Sequence, residues 1–122
     1  MANPFGAPEV SVQEIAQRVE AGDKFLWIDV REPHELELAN FNVEGILNVP
    51  ISEVASKQLD ALPDAVTADK DAEIIVSCHH GGRSAQMVMF MRGQGWTNAI
   101  NLDGGIHAWA IEVDPSVGMY RG

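Results

Sequence analysis

The chain has 122 residues, 46% hydrophobic and 21% charged, with eighteen acids against eight Lys and Arg for a net charge of −10. That length suits one compact domain with a real core and excludes two of ordinary size, while the composition excludes a disordered chain. No apolar run approaches the roughly 20 residues that span a bilayer, and so acidic a protein is a poor partner for nucleic acid or an anionic membrane.

The segment Met1-Ala-Asn-Pro-Phe-Gly6 has no basic stretch followed by an apolar one, so no secretory signal is expected and a cytoplasmic location is. Ser11-Val-Gln-Glu14 then has the form of a capping box, and Val12, Ile15, Ala16 and Val19 share one helical face up to a stop at Gly22. Phe25 to Val30 is a nearly continuous apolar run that predicts a buried parallel strand. Arg31-Glu-Pro33 ends it, and a short helical turn from His34 to Ala39 carries Glu35 and Glu37. A second strand is expected over Ile46–Val49, closed by Pro50. Ser52 is expected to cap a short helix reaching about Leu59. Residues 60–71 read as loop or loose helix.

Glu73–Ser77 is a further buried strand. Cys78 to Arg83 follows as a loop, and Ser84 to about Arg92 is apolar on most faces, which predicts a buried helix stopped by Gly93 and Gly95. Ala99–Leu102 is another strand. Asp103-Gly-Gly105 turns into a last helix with His107, Ala108 and Trp109. The tail from Asp114 to Gly122 shows little periodicity. Strands alternating with helices specify an α/β domain whose parallel sheet is covered on both faces. No repeat or interdomain linker interrupts the pattern, so residues 1–122 are expected to form a single domain with its core at about 9–112 and a tail at 114–122.

The charge is unevenly placed. Fifteen acids lie between Glu9 and Glu73, three more are Asp103, Glu112 and Asp114, and residues 74–102 hold none. The only cysteine, Cys78, sits in that acid-free segment, so no internal disulfide can form. Cys78 follows a strand directly, at the carboxyl edge where open α/β sheets bind ligands. The loop then feeds a helix N-terminus, whose free N–H groups and positive dipole end favour an anion. Gly81 and Gly82 permit the backbone to curl so that N–H groups face the sulfur. A thiolate among such donors and beside Arg83 is stabilised, which makes Cys78 the candidate nucleophile.

His79 and His80 follow Cys78 at once. Neighbours in an extended segment diverge, and His34 and His107 are distant in sequence, so no metal site is expected. One of the pair is expected at the pocket mouth and the other against a neighbouring loop. Asp29 is expected to be a structural acceptor. Arg31 is expected to brace the active-site loop or, alternatively, to touch substrate. Trp109 reads as a core anchor.

Cys78-His-His-Gly-Gly-Arg-Ser84 resembles the active-site loop of the rhodanese-like sulfurtransferase family, C-x-x-G-x-R-S. Asp29-Val-Arg31-Glu-Pro and Asp103-Gly-Gly-Ile-His-Ala-Trp109 resemble its two flanking signatures, in the right order. Where the family carries an H-I-P-G-A-like segment, this chain has Asn42-Val-Glu-Gly-Ile46, keeping only the glycine. The resemblance implies a rhodanese-like five-stranded parallel sheet with helices on both faces and a short first strand near Val10. It implies that the Cys78 thiolate takes the outer sulfur of thiosulfate or a persulfide and passes it to a thiol, a protein thiol or cyanide. Cys78 is then the catalytic residue. His79, His80, Gly81, Gly82, Arg83, Ser84 and Arg31 are the substrate-binding candidates, with Arg83 and the loop N–H groups holding the transferred sulfur and departing anion. No metal or organic cofactor is implied.

Two alternatives belong to related domains. One is a non-catalytic binding or regulatory module. The other is a cysteine-dependent phosphatase or arsenate reductase, whose loop is one residue longer than the C-x4-R of Cys78 to Arg83.

Overall fold

A computed structural model describes residues 3–121. Five strands form one sheet: β1 (Glu9–Val10), β2 (Leu26–Asp29), β3 (Leu47–Asn48), β4 (Ile74–Ser77) and β5 (Ala99–Leu102). They lie in the order β1-β5-β4-β2-β3, and every neighbouring pair is parallel. The central strand β4 is buried along its whole length, as its unbroken apolar sequence requires.

Alternate residues of the strands build two cores, one on each face. Ile28, Ile74 and Val76 face α5 (Gly82–Gly93), α3 (Ile51–Lys57) and α4 (Asp64–Thr67), meeting Ala85, Met87, Val88, Met91, Val54 and Val66. Trp27, Ile75 and Leu102 face α1 (Val12–Glu20) and α6 (Gly105–Glu112), meeting Val12, Ile15, Ile106 and Trp109. On this second face Trp27, Phe41 and Trp109 pack edge to face, with centroids 4.9, 5.5 and 5.4 Å apart. Each such pair contributes about 0.5–1.5 kcal/mol beyond its burial. The Trp27 indole N–H donates to Ser77 Oγ at 2.9 Å and so ties β2 to β4.

The elements depart from the sequence reading in three places. Helix α5 starts at Gly82 rather than Ser84, because Gly81 (φ 104°) makes the turn by itself and puts Arg83 in the first helical turn. Helix α3 is entered from Pro50, and Ser52 lies inside it: its hydroxyl donates to Glu32 Oε1 at 2.6 Å instead of capping its own helix. The α5 surface is also less apolar in its burial than in its sequence, since Met89 is exposed.

Connections leaving β2 and β4 run in opposite directions, to β3 at one edge and to β5 on the other side. The carboxyl ends of β2 and β4 therefore bound a crevice, the usual ligand position in such sheets. Helix α2 (Pro33–Leu38), following β2, forms one wall. No helix among the described residues is long and apolar enough to cross a membrane.

Candidate functional site

Cys78 stands one residue past β4 and is 1% exposed. The left-handed turn at Gly81 points that residue's N–H at Cys78 Sγ, 3.0 Å away, and the Ser84 N–H reaches it at 3.4 Å. The Ser84 hydroxyl lies 3.2 Å from Sγ and donates to Asn101 Oδ1 at 2.5 Å. Asn101, on β5, is fully buried and donates in turn to the Gly81 carbonyl at 3.2 Å. The sulfur thus sits in a cradle of donors at the start of α5.

The loop rests on α6. Ile106 N–H donates to the Cys78 carbonyl at 2.9 Å and His107 N–H to the His79 carbonyl at 3.0 Å. Gly105 makes this approach possible, because a Cβ there would collide with those same two carbonyls. The Asp103-Gly-Gly segment is therefore a docking surface for the cysteine loop rather than a reacting part.

Arg83 lines the cavity and is paired. Its guanidinium is not an unpaired cation over the sulfur: Nη1 and Nη2 donate to Glu35 Oε2 and Oε1 at 2.6 and 2.8 Å. Glu35 comes from α2, 48 residues away, and is buried. It also accepts from the Tyr120 hydroxyl at 3.0 Å and from the Glu32 N–H at 2.8 Å. The Arg83 hydrogen bond, opposed by burial, holds the Glu35 carboxyl down at about 2. The pair keeps Arg83 on the cavity wall with two of its five donors engaged.

Arg31 is held as a brace within the described structure. It is fully buried and absent from the walls of the Cys78 cavity. Asp29 holds its Nε and Nη2, and its Nη1 donates to the Glu35 and Ala39 carbonyls and to the Tyr120 hydroxyl. It thereby ties the end of β2 to the middle and C-terminal end of α2. Asp29, as expected, is a structural acceptor.

A cavity of about 550 Å³ opens over the sulfur. Cys78, His79, His80, Gly82 and Arg83 share its walls with Glu35, Tyr120 and Arg121. The two histidines do not diverge as predicted. They occupy a tight turn instead of an extended strand, and their rings lie 3.9 Å apart. His79 is buried and stacks on Tyr120, with centroids 3.8 Å apart and planes 8° from parallel. Burial lowers the pKa values of His79 and His80 from the ordinary histidine value, and neighbouring imidazoles add to the effect.

Glu35 and Asn101 escaped the sequence reading, and nothing in the sequence ties Tyr120 to the site. Glu35 had a partial signal, an acid three residues into a Pro-started helix, which marks a capping box but not its distant partner. Asn101 carried a weaker one, a polar residue inside an apolar strand. Tyr120 had none. It returns to the site because the Asn40 N–H holds the Val117 carbonyl and so folds the tail against α2.

The family model for the rhodanese-like domain matches residues 11–112. The chain is 34% identical over 85 residues to the thiosulfate sulfurtransferase GlpE of Ectopseudomonas mendocina, covering 67% of each protein. It is 30% identical over 115 residues to the chloroplastic rhodanese-like/PpiC domain-containing protein 12 of Arabidopsis thaliana, covering 92% of this chain but 37% of that protein. Among solved structures, the human single-domain sulfurtransferase TSTD1 superposes with a TM-score of 0.68 at 28% identity, over 88% of this chain and 98% of that one. Several of the matched proteins are thus much longer than this chain, which spans only 23% of a maize adenylyltransferase and sulfurtransferase.

Proposed function

The chain belongs to the rhodanese-like domain family, and from that premise we propose that it moves sulfane sulfur through a persulfide on Cys78. The observation that carries this reading is the cradle around Cys78 Sγ, with N–H donors at 3.0 and 3.4 Å under an open cavity. Donors placed before the reaction need not reorganise when charge arrives on the sulfur.

In the first half-reaction the Cys78 thiolate attacks the outer sulfur of thiosulfate or of a persulfide. A Cys78 S–S bond forms, the donor's own bond to that sulfur breaks, and sulfite or a thiolate leaves with the electron pair. The new terminal sulfur carries the negative charge. In this reading the Gly82 and Arg83 N–H groups, in the first turn of α5, receive it. Because the Ser84 hydroxyl has one proton, it serves either Asn101 or the sulfur at a given moment. That lets it follow the charge. In the second half-reaction a thiolate or cyanide attacks the terminal sulfur, and the Cys78 thiolate is released unchanged.

The pairing of Arg83 with Glu35 alters the role expected for this arginine. Its charge is largely compensated, so it orients the departing anion by its remaining N–H groups rather than by a free positive charge. His79, His80, Gly81, Gly82 and Ser84 complete the substrate-binding set. The cavity also has room for a thiol presented by another protein. A thiolate nucleophile that must stay reduced suits the cytoplasm.

The test is steady-state transfer to cyanide with thiosulfate and with a glutathione persulfide as alternative donors, using Cys78→Ser as control. Turnover with at least one donor, absent from the variant, is the expected result. Turnover that survives in Cys78→Ser would refute the reading.

A further inference from the structure

The loop that places Cys78 also gathers three histidines. His79, His80 and His107 each offer a ring nitrogen, and these nitrogens lie within 4.8 Å of one another. Their convergence is built into the backbone, since the His107 N–H is bonded to the His79 carbonyl at 3.0 Å and Gly105 lets the two segments touch. The His80 and His107 rings are 4.7 Å apart.

Two of the three rings have an unmet need. His79 Nε2 and His107 Nδ1 are buried without a hydrogen-bond partner among the described residues. His79 itself is only 2% exposed. A buried imidazole nitrogen with no partner loses its solvation for nothing in return. Such groups persist where a ligand satisfies them.

We propose that His79, His80 and His107 form a binding site for a divalent transition-metal ion of the zinc class, at the rim of the Cys78 cavity. Imidazole nitrogen is a preferred ligand for Zn²⁺, Co²⁺, Ni²⁺ and Cu²⁺. Tetrahedral coordination at about 2.0–2.1 Å needs ligand nitrogens about 3.4 Å apart. The ligand nitrogens must therefore close by up to about 1.4 Å, and His80 is the exposed member of the cluster. Three protein ligands leave a fourth position open. His79 and His80 also line the cavity over the sulfur. The ion's ligands do not include Cys78, whose sulfur is engaged by Gly81 and Ser84.

Calorimetric titration of the purified chain with Zn²⁺, and absorption spectra with Co²⁺, test the site. Four proteins suffice: wild type, Cys78→Ser, His80→Ala and His107→Gln, with circular dichroism to confirm folding. One ion per chain is expected in the wild type and in Cys78→Ser, with an affinity at least about tenfold lower in each histidine variant. The Co²⁺ form should show ligand-field bands without sulfur-to-metal charge transfer. His80 is exposed, so its variant decides the matter even if His107→Gln does not fold. No binding by the wild type, equal binding in His80→Ala, or loss of binding in Cys78→Ser would each overturn the proposal. Because Cys78→Ser should keep the metal while losing sulfur transfer, failure of one reading is distinguishable from failure of the other.

Discussion

Replacing Glu35 by Gln removes the charge that organises the cavity wall while keeping the shape of the side chain. Glu35 receives two short bonds from Arg83 and one each from Tyr120 and the Glu32 N–H. Its carboxyl is held at about 2 against an ordinary 4.5. At about 1.4 kcal/mol for each unit, that displacement corresponds to about 3.5 kcal/mol. Arg83 is one-third exposed, so solvent screens part of the attraction and a loss of about 2 kcal/mol is expected at pH 7. In urea unfolding this moves the midpoint down by about 1 M. The pH dependence has a definite sign. A carboxyl whose value is lowered in the folded state contributes stability that is complete above about 4.5 and is lost as pH falls through about 2. The gap between wild type and Glu35→Gln should therefore be full at pH 7, smaller at pH 3 and nearly closed at pH 2. A gap that is constant across this range, or below about 0.5 kcal/mol at pH 7, would refute the assignment of a buried, charge-dependent lock.

Three further outcomes follow from the same geometry. Tyr120→Phe removes the hydroxyl that links Glu35 to Arg31 while keeping the stack on His79, and should cost about 1–2 kcal/mol in denaturant unfolding. Gly105→Ala forces a Cβ into the Cys78 and His79 carbonyls at a left-handed position (φ 57°), and should lower the melting temperature by about 10 °C or more. The −10 net charge repels an anionic donor at long range, so the thiosulfate kcat/KM should rise between about 0.01 and 0.15 M salt as the Debye length shrinks from about 30 to 8 Å. A rate that falls instead would mean that the local donors govern the encounter.

The parts of this molecule legible in its sequence are those encoded by neighbouring residues. The apolar run Glu73–Ser77 makes a central strand wherever it is placed in an α/β sheet, and Cys78 with two glycines and an arginine after it specifies a donor-lined turn into a helix. The Ser11 cap is equally local, since its side chain accepts from the Glu14 N–H. What stayed hidden depends on pairings across the sheet's carboxyl edge. The partner of Arg83, Glu35, arrives from 48 residues away. Tyr120 reads as tail until it reaches Glu35 across 85 residues. His79 and His80 would diverge in extended chain but stand at a bend, and His107 joins them through the contact that Gly105 allows. Ser52 misled for a related reason. It has the chemistry of a helix cap, but a distant acceptor, Glu32, takes its hydroxyl.

The central claim is that Cys78 carries the sulfur in transit, and intact-mass spectrometry under non-reducing conditions tests it most directly. Brief exposure of the wild type to thiosulfate should add the mass of one sulfur atom, subsequent cyanide should remove it, and Cys78→Ser should remain unchanged throughout. No added mass on the wild type, or the same gain on Cys78→Ser, would contradict the account.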